Sequence, residues 1–250
     1  MQASILIMVW LFSMFSLPAS AGFDEGLTAY KNNDFETARS EWQPLAAQED
    51  ADAQYNLGVM YLKGQGVKQN FQEALVLFRS ASERGDASAQ FNLGLMYHAG
   101  DGVQKDNRQA VAWFRKAARN GHAGAQYNLG VLNDAGLGVL QDYSKAAFWY
   151  RKAAEQGYAK AQTNLGVLHE SGHGVPKSRV LAYALYDLSA ENDPSENNVA
   201  AKNRSSLAGQ LTTREQETAR ELVGQMAMPG NLIRTLDSYI KQLMARKKPG

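Results

Sequence analysis

No cysteine occurs in the 250 residues. No disulfide can staple the chain, and no lipid can be attached through a cysteine behind a leader. Charge of one sign is also missing. A formal net charge of +1 gives no electrostatic reason to bind nucleic acid or an anionic membrane surface. The chain lacks an apolar run long enough to cross a bilayer, which takes roughly 20 residues. Its longest apolar block, Ile5 to Leu17, is shorter and is followed by Ala19-Ser20-Ala21. That order is a signal-peptide core and an A-x-A cleavage site over residues 1–21, with the cut expected after Ala21. No Lys or Arg precedes the block, so an uncleaved anchor or a buried first helix is the alternative. Cleavage would leave a mature chain from Gly22, periplasmic or secreted, with no transmembrane span.

What is present is a period. Gln54, Gln90, Gln126 and Gln162 are each 36 residues apart, as are Asn56, Asn92, Asn128 and Asn164 and the Leu-Gly pairs that follow them. A fixed period of this length marks a solenoid whose units bury their apolar faces against neighbours. In the first copy Gln54, Leu57, Gly58 and Tyr61 fall on one face of a helix. Glycine costs about 1 kcal/mol against alanine inside a helix, so its return in all four copies points to a close-packed second helix. Gly64-Gln65-Gly66-Val67 and its three equivalents supply a helix stop and a turn. Asn70, Asp106, Asp142 and Ser178 are then the capping residues of a second helix. That helix packs through Ala74, Leu77, Phe78 and Ala81, with Trp113-Phe114 and Trp149-Tyr150 as later equivalents. Each unit is a helical hairpin, and four of them occupy 51–86, 87–122, 123–158 and 159–194.

The run A-x-A-Q-x-N-L-G-x-x-Y, the turn G-x-G-V and the second-helix run D-x-x-x-A-x-x-W-[FY]-x-K-A-A resemble the SEL-one-like repeat, a relative of the tetratricopeptide repeat. The likeness covers residues 51–194. It implies an all-α fold, an α/α superhelical solenoid of stacked hairpins that serves as a protein-binding scaffold, and it implies no catalytic site. The fourth copy departs most, with Ser189 at the place of Ala81, Ala117 and Ala153, and Pro176 in the turn.

Residues 22–50 read as a degenerate tetratricopeptide-like cap, with Gly26, Phe35, Ala38 and Trp42 suitably spaced and Asn32-Asn33-Asp34 as the turn. Residues 195–250 read as capping helices and a basic tail. Thr212 and Glu215 form a capping box, and Leu232, Leu236, Tyr239, Ile240 and Leu243 make the stripe of a last helix. From residue 196 on, 9 Lys and Arg face 5 Asp and Glu, against 17 and 20 in the part before.

One motif carries possible chemistry. His169-Glu170-Ser171-Gly172-His173 is a literal H-E-x-x-H, which on an unbroken helix would hold zinc. It defines the alternative function, an envelope hydrolase acting on cell-wall or peptide substrates. Gly172 should end the helix between the two histidines, so the expectation is no metal, no cofactor and two partly exposed polar residues at a turn. His98 and His122 are expected as isolated surface residues.

A second stripe runs along the first helices: Asp52, Tyr55, Val59 and Leu62, then Ser88, Phe91, Leu95 and His98, then Gly124, Tyr127, Val131 and Asp134, then Lys160, Thr163, Val167 and Glu170. In the tetratricopeptide relatives this stripe lines the concave groove. Tyr55, Phe91 and Tyr127 with Val59, Leu95 and Val131 would anchor a protein or peptide, and Asn56, Asn92, Asn128 and Asn164 would bond its backbone. Two other roles are open: the rings can pack between successive units, and the Asn ladder can tie repeat to repeat. The reading is an exported, monomeric, non-enzymatic scaffold that assembles or regulates an envelope complex, the family and signal together suggesting the periplasm of a Gram-negative bacterium.

Overall fold

In the computed structural model of the protein, the residues described are 19–193, 195 and 198–246. The block Ile5–Leu17, Pro194 and the tail residues Lys247 and Lys248 lie outside them. Thirteen α-helices and no strand occur among the described residues. The chain divides into two compact units, one ending at Ala81 and the other beginning at Ser82.

The first unit holds α1 (Ala19–Lys31), α2 (Phe35–Ala47), α3 (Ala51–Lys63) and most of α4 (Phe71–Glu83). The expected cleavage point after Ala21 falls in the first turn of α1. Asn33, at φ 62, turns the chain, and Asp34 caps α2 by accepting from Thr37 N–H. Trp42 is fully buried, and its indole N–H donates to the Phe23 carbonyl at 3.2 Å. Gly26 lets it in: a Cβ there would lie 2.4 Å from the indole nitrogen. Gly58 does the same for Phe78, at 2.7 Å. Burying such a ring stabilises the fold by about 2–3 kcal/mol, and only the absence of a side chain opposite allows it.

The second unit stacks α5 (Ala87–Ala99), α6 (Asn107–Arg119), α7 (Ala123–Ala135), α8 (Tyr143–Glu155), α9 (Ala159–Ser171) and α10 (Arg179–Asn192) as hairpins. Gly94, Gly130 and Gly166 admit the buried rings of Phe114, Tyr150 and Tyr186, which would stand 2.5, 2.4 and 2.7 Å from an added Cβ. Asp106, Asp142 and Ser178 cap the second helices as their side chains accept first-turn N–H groups. The two turn glycines have different duties. Gly136 and Gly172 are left-handed C-caps, whereas Gly138 and Gly174 press on the start of the preceding unit's second helix. A Cβ on Gly138 would meet the Asn107 backbone at 2.5 Å, and one on Gly174 the Tyr143 backbone at 2.4 Å.

Three helices follow: α11 (Val199–Ala208), α12 (Thr213–Met226) and α13 (Leu232–Arg246). The Thr212–Glu215 capping box is complete. Leu222, Val223, Met226, Leu232 and Leu236 join the core built by α8, α9 and α10. On α8, Glu155 accepts the Ile233 backbone N–H at 2.7 Å and Arg151 pairs with Asp237, so α13 is held end-on and side-on. Each unit is a stack of helical hairpins, and the fold class is an all-α solenoid. No helix of the described residues is long and apolar enough to cross a membrane.

Candidate functional site

The ladder that ties repeat to repeat is glutamine. Gln90, Gln126 and Gln162 each donate from Nε2 to a carbonyl of the helix before, at Ser82, Ala118 and Ala154, over 3.3, 3.2 and 3.2 Å. Each Oε1 accepts from the end of its own unit's second helix: Asn120 to Gln90, Gln156 to Gln126, Asn192 to Gln162. One buried amide thereby clasps three helices. Gln54 donates likewise to the Ala46 carbonyl at 3.2 Å.

The Asn positions, expected as either ligand contacts or ties, differ from one another. Asn56 and Asn128 donate back to Asp52 and Gly124 of their own helices, at 2.9 and 2.8 Å. Asn92 is half-buried on α5. The Asn164 amide of the fourth repeat faces the Tyr127 and Tyr150 hydroxyls of the third. At Asn56 and Asn128 the tie is not made, because an amide four residues above a helix carbonyl finds a partner within its own turn, whereas the Gln side chain is longer and faces the neighbouring helix.

The stripe rings are half-buried and each leans on a second-helix ring. In the first unit Tyr55 lies 5.9 Å from Phe78, with Val59 half-buried beside it on the same helix. In the second, Phe91 lies 5.8 Å from Phe114 and Tyr127 lies 6.0 Å from Tyr150. Each of these two also meets the N-cap residue of the next first helix, α7 or α9: Phe91 stacks on His122 at 4.3 Å, and Tyr127 lies 5.1 Å from Tyr158. Leu95 and Val131 are half-buried, and Val167 is 44% exposed. The stripe's carboxylates are engaged inward, Asp134 accepting from the Tyr150 hydroxyl at 3.2 Å and Glu170 from the Tyr186 hydroxyl at 2.7 Å. Burial first, and those carboxylates second, push both phenols up.

The histidines depart from expectation. His169 is completely buried, with Nδ1 2.9 Å from the Pro176 carbonyl and Nε2 buried without a partner. The Pro176 of the fourth turn thus supplies the acceptor that fixes the ring as the Nδ1–H tautomer. Burial lowers the His169 pKa, with the Pro176 bond opposing and Arg151 adding to the fall. His173 is exposed and stacks on Tyr143 at 4.8 Å, beyond Gly172 at φ 82. The two rings of the H-E-x-x-H run therefore point to different environments, and its Glu170 is taken by Tyr186. No three His, Asp or Glu side chains among the described residues gather as a metal site. His122 is half-buried rather than isolated, and caps α7 by accepting Ala125 N–H on Nδ1 at 3.2 Å. Burial lowers its pKa, against its own backbone and Asp86. His98 is likewise half-buried, its Nδ1 2.8 Å from Asn107 Oδ1.

A hollow opens where the ring series stops. At the stripe position of Phe91 and Tyr127 the fourth copy has Thr163, and beside it lies a cavity of about 390 Å³. Its walls include Tyr127, Lys160, Thr163, Asn164 and Ser189 from the repeats and Val199 from α11. Such a volume is at the lower end for small-molecule and side-chain pockets, roughly 300–1,000 Å³. Thr163 and Ser189 were legible as departures from the repeat; Val199 was not, because nothing periodic leads to it. A larger hollow of about 680 Å³ lies between α12 and α13, but its walls are mainly long polar side chains such as Arg214, Glu215, Glu221 and Gln225, away from the repeats' stripe.

The Sel1 repeat model matches residues 51–86, 87–122, 123–158 and 159–194. Among solved structures, a protective antigen of uropathogenic Escherichia coli displaying an SLR fold is 33% identical with a TM-score of 0.78, over 93% of this chain and 49% of its own. The chain thus spans about half the length of that relative. A Sel1 repeat protein from Oxalobacter formigenes is 29% identical with a TM-score of 0.64, over 90% of this chain and 100% of its own. A putative Sel1 repeat protein from Klebsiella pneumoniae shares the fold at 19% identity, with a TM-score of 0.50, over 76% of this chain and 93% of its own. Comparison with curated proteins gives no match. With four matched units over more than half its length, the chain belongs to the Sel1 repeat family, whose members generally act as protein–protein interaction scaffolds.

Proposed function

We propose that this protein is a non-enzymatic adaptor that works outside the cytoplasm, in the periplasm or secreted, and holds a partner protein on the first-helix stripe of its repeats to assemble or regulate an envelope complex. The observation that carries the reading is the register of partly exposed apolar side chains on α5, α7 and α9. Phe91 and Leu95, then Tyr127 and Val131, then Val167 recur every 36 residues, among polar groups mostly satisfied within the fold. A surface of that kind offers area without demanding a charged ligand. Export is supported by the short apolar block ahead of Ala19-Ser20-Ala21 and by the protective antigen among the relatives.

A photo-crosslinking residue at Val167 in the native host tests the surface. The expected result is capture of one protein, reduced about tenfold by Val131→Lys with little change in Tm. Equal capture of the same protein from a crosslinker at Lys116, which is exposed on α6, would remove the stripe from the reading. Mass spectrometry of the native protein checks export separately: the expected first residue is Gly22, and a retained Met1 would overturn it.

A further inference from the structure

We propose that the hollow beside Thr163 receives one aromatic side chain from an extended segment of the partner, so that the partner supplies the ring the fourth repeat lacks. The inference rests on the stripe being the binding face. In the second and third repeats a ring fills the stripe position and is held between two others, Phe91 by Phe114 and His122, and Tyr127 by Tyr150 and Tyr158. The fourth repeat keeps the inner ring, Tyr186, and keeps Gly166 open for it. It replaces the stripe ring by Thr163, and space remains there.

The two departures of this repeat meet at the floor of that space. Ser189 donates to the Ala159 carbonyl at 2.7 Å, and its oxygen lies 2.8 Å from the Thr163 hydroxyl. The two hydroxyls are satisfied before any guest arrives, so an apolar ring laid on that floor strands neither of them. Tyr127 offers a ring for an edge or offset contact. Val199, on the opposite wall, is 60% exposed, a large apolar side chain left to solvent at the mouth. Lys160, exposed on the same rim, can approach the face of an inserted ring or a peptide carbonyl. An aliphatic side chain would fill the space but use neither the Tyr127 ring nor the Lys160 cation.

The test uses the whole exported chain and acetylated, amidated pentapeptides Gly-Gly-X-Gly-Gly with X as Phe, Tyr, Leu or Ala, followed by NMR shifts. The Phe and Tyr peptides are expected to shift Thr163, Asn164 and Val199 and to bind at least tenfold tighter than Leu. Thr163→Tyr, which restores the ring in place, should abolish those shifts while keeping or raising Tm. If that variant does not fold, Val199→Arg serves instead, since its side chain is largely exposed. Equal binding of Leu and Phe, or no shift at Thr163 with any peptide, overturns the pocket. Shifts confined to Leu95 and Val131 that survive Thr163→Tyr overturn the pocket and leave the stripe reading standing. Loss of crosslinking at Val167 upon Val131→Lys, together with no peptide effect here, separates the two in the same way.

Discussion

The third and fourth repeats share their frame and differ in what fills it. In both, a Gln clasps three helices, a Gly admits an inner ring, and an acidic residue on the first helix takes that ring's hydroxyl. Between them Tyr127 becomes Thr163, Ala153 becomes Ser189, and Asn133 becomes His169. The clasping amide, the glycine that admits the ring and the acidic acceptor hold still. The positions around them drift, and in the fourth repeat the changes meet in pairs, Thr163 with Ser189 and His169 with the carbonyl of Pro176.

The frame breaks hardest at the glycines. Gly138→Ala meets the Asn107 backbone at 2.5 Å and forces φ 71 on a side chain, and we expect about 3 kcal/mol of destabilisation. Gly130→Ala, opposed by a Tyr150 ring that can yield a little, should cost about 2 kcal/mol. Gly224→Ala, inside α12 with nothing near an added Cβ, should have the opposite sign and stabilise by about 1 kcal/mol. Urea unfolding of the three variants reads the order directly, and a common sign would break the steric account.

Next come the two amide ladders. Gln126→Ala strands the Gln156 amide and one helix carbonyl, and is expected to cost about 2 kcal/mol. Asn128→Ala loses a bond within one helix and gains helix propensity, leaving stability within about 0.5 kcal/mol. Similar costs for both would mean that the Asn ladder ties units after all. Phe91→Ala falls between them, at about 1.5 kcal/mol, since the half-buried ring stacks on His122 and Phe114. It is therefore a poorer probe of binding than Val131.

The smallest effect is on pH. The folded-state pKa of His169 lies below its unfolded value, so the unfolded chain binds more protons as pH drops. The stability this neutral ring contributes is present above the unfolded value near 6.5 and is lost as pH falls through the folded value. His122 titrates in the same sense, and its protonation also removes the Nδ1 acceptor that caps α7. Tm should fall between pH 7 and pH 5, and less so in His169→Asn, which borrows the residue of the third repeat. An unchanged slope in that variant would remove His169 from the account.

The period made the hairpins legible because Gln, Gly and the caps answer to backbone geometry, which recurs whenever the residues do. Gly58 pointed to a close helix, and Phe78 is what fills the gap. The sequence was misleading where two amides compete. Both Gln126 and Asn128 recur every 36 residues, and period alone cannot say which side chain faces a neighbour. His169 was misplaced because its partner, the Pro176 carbonyl, belongs to a turn whose path no pattern specifies. Of the hollow's walls, Thr163 and Ser189 could be read as breaks in register, whereas Val199 comes from α11, past the end of the period.

The glutamine clasps also have a consequence in time. Each closes over 8 residues toward the helix before and over 30 toward the end of its own unit. Chains whose contacts are this local fold quickly and need nothing far downstream to begin. A chain delivered N-terminus first can therefore close the clasp of one repeat while the next, which covers its apolar face, is still arriving. The attachment of α13 is the exception, since Arg151 and Asp237 are 86 residues apart. Closing that loop rather than one of 30 costs about 1 kcal/mol more in chain entropy. The repeats can set without it, and α13 seats on α8 only once the whole chain has arrived.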